Sequence, residues 1–184
     1  LFLAQTCSSP YRKTLHKTTI YVGTADYDLP NCPPGYYNSV IISRPGYELL
    51  ELKNCAFGYN EKISHSGWTA PMTHFRNLNI APKSLVETGS HRASVKLVAS
   101  GKIEFAAIDA QSWRFIKKYD DFAKSVEVVD HTKATPGLPF ITSQASLRKN
   151  LFDSIRKAIE VLSEKYRSLL FLNNFITIDE KKYL

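Results

Sequence analysis

Three short segments carry residues whose types and spacing could do chemistry. Ser64-His65-Ser66-Gly67 stands between an apolar run and a stretch of helical character. Hydroxyls and unpaired backbone N–H groups converge at a helix start, and the macrodipole adds partial positive charge, so the tetrapeptide has the parts of an anion site. Read alone, it is a plain serine N-cap. Glu87-Thr88-Gly89-Ser90-His91-Arg92 repeats the same shape: a short strand, a glycine turn, and a helix opening at Ser90. His91 falls in the first turn, where its ring can donate to an anion; read alone, it is a surface histidine. Asp109 ends the run Ile103 to Asp109 (IEFAAID). Ligands of open α/β sheets sit outside the carboxyl ends of strands, where a carboxylate can accept a ligand O–H or N–H. Asp109 can also cap the helix that follows, and the two roles are compatible. Two helix starts in so small a protein can aim at one ligand.

Other chemistries have less support. GxSxG, P-loop, GxGxxG and HExxH motifs are all absent. Cys7, Cys32 and Cys55 form no CxxC, and neither they nor the five scattered histidines have zinc-ligand spacing, so no metal or cofactor is expected. One disulfide with a thiol left over and three thiols both remain open. Lys plus Arg is 24 against 17 for Asp plus Glu, a net charge of +7 that suits an anionic partner. The basic residues are dispersed and lack an aromatic–basic ribonucleoprotein motif, which argues against nucleic acid. No apolar run approaches the roughly 18–20 residues of a membrane span. With 184 residues, 43% hydrophobic and 22% charged, the chain reads as one or two globular domains.

The elements that must position these residues alternate. Leu1–Gln5, Thr18–Gly23 and Tyr37–Ser43 read as strands, with a proline-rich loop (28–35) after the second. Glu51–Tyr59 reads as a turn into a buried strand, Trp68–Phe75 as a weak helix, and Leu85–Thr88 as a short strand. Ser90–Ser100 is a better helix, with Ser90 as N-cap and Gly101 at the C-terminal cap. The continuous apolar run before Asp109 fits a covered parallel strand. A short helix follows over Gln111–Lys118, then a strand over Val126–Val129 and a rigid loop, Pro136–Pro139. Leu147, Leu151, Ile155, Ile159, Leu162, Tyr166 and Leu169 recur every three or four residues and predict one long amphipathic helix. Strands alternating with helices argue an α/β fold with mainly parallel sheets.

The order of these motifs resembles the phosphate/phosphonate-type substrate-binding proteins of ABC importers. Leu85–Trp113 (LVETGSHRASVKLVASGKIEFAAIDAQSW) carries the resemblance most specifically. Four segments accompany it in order. Leu3-Ala4-Gln5-Thr6-Cys7 is similar to the family's LxQTCGYP, and Tyr37–Ile41 to its YxSxxxV strand. Ser64–Gly67 is similar to its SxSG anion loop, and Thr135–Phe140 to its TPGLP turn. The resemblance covers roughly residues 1–172 and implies a type II periplasmic-binding-protein fold of two α/β lobes joined by crossing strands. It places the crossings near Arg44–Glu51 and Trp113–Val126. One lobe would span about 47–115, and the other 1–46 with 116–184. Family members carry a further strand–helix–strand before the QTC segment. The chain here opens at that segment, at Leu1 rather than Met, so a truncated or mature chain with an incomplete first lobe is expected. Gln5–Pro10 also reads QTCSSP, replacing the family's Gly and Tyr.

The resemblance implies a non-catalytic binding protein that takes a phosphonate, phosphate ester or similar small oxyanion in an interlobe cleft and delivers it to an ABC transporter permease. Ser64, His65, Ser66 and Gly67 would hold the anion, and Thr88, Ser90 and His91 would close on it. Asp109 and Ser112 would meet the organic end, and Tyr37 would contribute from the other lobe. The location implied is periplasmic or that of an exported lipoprotein. The resembling proteins often carry cysteines at both places, so Cys7 and Cys32 are expected within disulfide reach and Cys55 as a buried thiol. The alternatives are an enzyme on the same scaffold, of pyrimidine- or thiamine-precursor type, and a ligand-sensing regulatory domain. The first needs a reactive residue such as Cys55, and the second an attached signalling module.

Overall fold

The computed structural model describes residues 1–184 and divides into two compact units, one of residues 1–37 with 134–184 and one of residues 38–133. Elements are numbered along the chain.

The first unit contains strands β1 (Ala4–Gln5), β2 (Ile20–Asp26), β3 (Tyr36–Tyr37), β9 (Thr135–Pro136), β10 (Pro139–Thr142) and β11 (Asn174–Ile176). Its helices are α1 (Ser8–Lys13), α5 (Arg148–Glu160) and α6 (Glu164–Leu170). Four strands form an antiparallel sheet in the order β1-β10-β2-β11, and β3 pairs with β9. Strand β2 alternates its faces. Val22 packs with Leu151, Ile159 and Phe175 under α5, while Tyr21 packs with Tyr11, Ile141, Ile178 and Tyr183 on the other side.

Phenols bind the end of the chain to β2. The Tyr21 hydroxyl lies 2.7 Å from Thr24 Oγ1, which is 2.5 Å from the Tyr183 hydroxyl, and the Ile178 N–H donates to Tyr21 at 3.1 Å. The Tyr11 hydroxyl donates to Glu180. Burial, first of several causes, pushes the Tyr11, Tyr21 and Tyr183 phenols above the ordinary range, so all three stay protonated.

The second unit has a five-stranded sheet in the order β6-β5-β7-β4-β8. These strands are β4 (Ser39–Ser43), β5 (Ala56–Tyr59), β6 (Ser84–Glu87), β7 (Phe105–Asp109) and β8 (Glu127–His131). The expected parallel pairing occurs at β6-β5-β7; β4 runs antiparallel to both β7 and β8. Helix α2 (Ala70–Asn77) covers one face, where Phe75 meets Ile41, Phe57 and Phe105. The Phe57 and Phe75 rings stack edge to face, with centroids 5.1 Å apart. Helices α3 (His91–Ala99) and α4 (Ala110–Tyr119) pack on β7 and β4. Strand β7 is buried at all five residues, which explains its continuous apolar run.

Several sequence expectations need correction. The single helix predicted from Leu147 to Leu169 breaks at Val161–Ser163. Tyr166 and Leu169 stay largely exposed and α6 buries no side chain, so no packing holds a continuous rod. Arg167 instead reaches back to the Ile159 carbonyl at 3.3 Å, satisfying the end of α5. The strand predicted over Tyr37–Ser43 is split at Asn38, with β3 and β4 in different sheets. The unit boundaries therefore lie at 37/38 and 133/134 rather than near 46 and 116, because β4 and β8 pair with β7 in one sheet. No disulfide is formed: Cys7, Cys32 and Cys55 are all thiols, and Cys55 is half-buried, with burial raising its pKa.

Replacing Tyr183 with Phe removes the phenol from the β2 network and should cost about 1 kcal/mol of stability. Urea unfolding checks the loss, and amide exchange at Ile178 should quicken in the same variant.

Candidate functional site

The register of the second sheet sets the site. Parallel pairing of β6, β5 and β7 brings their carboxyl ends, Glu87, Tyr59 and Asp109, to one edge. Antiparallel β4 begins at that edge, with Ser39 opposite Asp109, and β8 ends there. Ser39 and Thr132 close this corner: the Ser39 N–H donates to Thr132 Oγ1 and the Thr132 N–H to the Ser39 carbonyl, each at 2.9 Å. Both chain crossings leave the unit at the edge where the loops after β5, β6 and β7 gather.

The loop after β5 carries Ser64–Gly67, all four residues buried. Ser64 is an N-cap whose Oγ accepts the Gly67 N–H at 3.0 Å. Residues His65–Thr69 form a wide π turn leading into α2, with the Thr69 N–H donating to the Ser64 carbonyl at 3.1 Å. Such turns recur at functional sites. Gly67 is required by close approach: a Cβ there would lie 1.8 Å from Asn60 Oδ1. Asn60 directly follows β5, and its carbonyl accepts the Gly89 N–H at 3.0 Å, joining the two loops. Its Oδ1 is buried without a hydrogen-bond partner.

The loop after β6 turns at Gly89, with φ of +83°. Ser90 caps α3, its Oγ accepting the Ala93 N–H at 3.1 Å. The Thr88 hydroxyl is engaged within the turn, 2.6 Å from Ser94 Oγ and 3.1 Å from the Tyr59 carbonyl. The two helix starts meet at His91, whose Nε2 is 3.0 Å from Ser66 Oγ. Burial lowers the His91 pKa, while Asp109, the Ala107 backbone and Glu61 act in the opposite direction. At the end of β7, Asp109 is buried and caps α4, accepting the Ser112 N–H at 2.7 Å. Ser112 is half-buried.

The sequence-selected residues thus fall in two places. Ser64, His65, Ser66, Gly67, Thr88, Ser90, His91, Asp109 and Ser112 lie on the loops and helix starts at this edge of the second unit; Tyr37 is buried in the first unit. Sequence reasoning missed Asn60, whose one signal is that it follows a buried strand. It also missed the Ser39–Thr132 pair, which only sheet pairing brings together. Nearby cations point elsewhere. Arg92 forms a forked pair with Asp120, with Nε 2.9 Å from Oδ2, and Lys62 lies over the Trp68 ring. An apolar groove of about 630 Å³ also runs between α2 and β6, lined by residues including Trp68, Met72, Phe75 and Leu85. It lacks the convergent hydroxyls and helix starts of the strand edge.

An α/β fold with two helix starts and a carboxylate at the strand ends is the framework of the periplasmic binding proteins, and comparison with solved structures agrees. A binding-protein component of an ABC phosphonate transporter from Pseudomonas aeruginosa superimposes with a TM-score of 0.79 at 16% identity, covering 100% of this chain and 65% of that one. A Prochlorococcus marinus protein solved with methylphosphonate gives 0.81 at 19%, covering 100% and 75%. A Xanthomonas citri protein solved with ATP gives 0.72 at 12%, covering 99% and 74%. The chain therefore spans less than two-thirds of the Pseudomonas protein. No curated protein sequence matches it. The family model for the periplasmic substrate-binding proteins of ABC phosphonate transporters matches residues 23–183, and the chain belongs to that family.

Gly67→Ala forces its new methyl group against Asn60 and should destabilise the second unit by about 1–3 kcal/mol. Adding Asn60→Gly should recover part of that loss. A double-mutant cycle in urea unfolding checks the coupling, and additive losses would show that the contact is not responsible.

Proposed function

We propose that the chain is the solute-binding part of an ABC importer and takes a phosphonate, phosphate ester or similar oxyanion. The observation that carries this reading is the contact of Ser66 with His91, which joins two helix starts at the carboxyl ends of parallel strands. Ser64, Ser66 and the first turn that carries His65 and Gly67 hold the anion through hydrogen bonds and the helix dipole. Ser90 and His91 complete the site from α3, with Thr88 shaping the turn. Asp109 and Ser112 meet the organic end. The family membership and the methylphosphonate bound to the Prochlorococcus protein support this ligand class.

Ligand binding biases a hinge equilibrium at the two chain crossings, and the bound form docks on a permease at the outer face of the membrane. The protein works as a carrier rather than a catalyst, in the periplasm or as an exported lipoprotein. No helix is long and apolar enough to cross a membrane.

A thermal-shift panel of phosphonates, inorganic phosphate, phosphite and sulfonates tests the reading. A true ligand at 100 times its Kd adds about 2.7 kcal/mol of stability; no shift across the panel rejects the proposal. Asp109 separates ligands within the class. A carboxylate beside a dianion repels it unless a ligand cation or hydroxyl lies between them. Asp109→Ala should therefore weaken an aminoalkylphosphonate by about 1.5–3 kcal/mol and leave inorganic phosphate little changed. Equal losses in calorimetry would reduce Asp109 to a helix cap.

A further inference from the structure

A serine hydroxyl has one proton, and at this site two groups compete for it. Ser66 Oγ and His91 Nε2 are 3.0 Å apart. A neutral ring protonated at Nδ1 takes the hydrogen bond from Ser66, and Oγ then offers an anion only lone pairs. A ring protonated at Nε2 reverses the bond: the ring donates to Oγ, and the serine proton is released toward the ligand.

The surroundings pull this choice in both directions. Asp109 at the end of β7, Glu61 on the loop after β5 and the Ala107 backbone favour the charged ring, whereas burial opposes it and prevails. The cations on α3 are engaged elsewhere, Arg92 with Asp120 and Lys96 over the Phe122 ring. An incoming oxyanion adds negative charge beside the ring and tips the balance toward the imidazolium.

Resting on the oxyanion reading above, we propose that ligand binding is coupled to uptake of one proton by His91, which changes from acceptor to donor toward Ser66 and so converts the Ser66 hydroxyl into a ligand donor. The proton comes from solvent to Nε2, and no covalent bond to the ligand forms. A neutral tautomer exchange would instead move the ring proton from Nδ1 to Nε2 with no net uptake, and the proton count distinguishes the two. By linkage, affinity falls as pH rises from the pKa of the free ring, which lies below the ordinary value of about 6.5, to the higher pKa of the ring beside the anion. The slope in that window is up to about tenfold per pH unit.

The test uses the full chain with methylphosphonate as probe. Histidine ¹⁵N spectra should show His91 neutral when free and doubly protonated when saturated. Calorimetry in buffers of different ionisation enthalpy should show wild type taking up about one proton more than His91→Gln near neutral pH. Protons gained or lost by the ligand itself are common to both proteins and cancel. His91→Gln should bind more weakly and lose the pH slope. Measured binding with His91 neutral throughout, or with equal proton counts in the two proteins, overturns the coupling and leaves the oxyanion reading standing. Failure of wild type to bind methylphosphonate, phosphate or an aminoalkylphosphonate overturns both.

Discussion

The parallel pairing of β5 with β6 and β7 is the constraint on which the second unit depends. Parallel strands cannot be joined by tight hairpins; each needs a crossover, and here the crossovers run through α2 and α3. The ends of β5 and β6 must therefore open toward helix starts, which bring unpaired N–H groups and a positive dipole end. Two such starts, after β5 and β6, lie side by side because their strands do. A third, after β7, supplies the carboxylate of Asp109 in place of a serine cap. The gathering of donors is thus a consequence of strand order, and the loop residues refine it.

The refinement is electrostatically economical. Ser64, Ser90 and Asp109 each satisfy an N–H of their own helix, at 3.0, 3.1 and 2.7 Å. The serines keep a hydroxyl proton that can be donated, whereas the aspartate has only lone pairs. One edge therefore presents donors on two sides and an acceptor on the third. In the proposed binding mode this asymmetry would separate the anionic end of a ligand from an end that carries protons. Asn60 sits behind the two donor loops, bonded to Gly89 through its carbonyl and packed against Gly67. It holds in place what the serines present.

Much of this was legible in the amino-acid order, and the exceptions share a cause. IEFAAID reads as a buried strand because both of its faces are covered. Ser90 and Gly101 bracket α3 because caps are local chemistry. The meeting of the Ser64 and Ser90 loops was expected from two similar strand–turn–helix shapes. What could not be read depends on partners distant in sequence. The break at Asn38 exists because Ser39 pairs with Asp109 while Tyr37 pairs with Thr135, in different sheets. The helix ending at Glu160 stops although its apolar spacing continues, since spacing cannot reveal that nothing lies beneath Tyr166. Asn60 gave no signal beyond its place after a strand, and its role comes from a glycine seven positions away being pressed against it. The expected Cys7–Cys32 bond came from family resemblance alone, and the structure holds thiols instead.

The net charge of +7 and the proposed anion site are separate features. Lys149–Asp153, Lys124–Asp121 and Arg156–Glu160 are surface pairs, and Arg92, next to His91 in sequence, is committed to Asp120. Exposed pairs of this kind contribute little to stability and are screened by salt. The polar groups at the strand edge are hydroxyls, main-chain N–H groups and the His91 ring, which burial pushes toward its neutral form. On the proposed reading such donors would recognise an oxyanion by geometry, and the one positive charge at the site, on His91, would come and go with the ligand. The surplus basic charge then acts at longer range, raising the encounter rate with an anion and falling off within a Debye length of about 8 Å at physiological salt. In the proposed carrier, capture at a distance and release at the site would thereby fall to different residues.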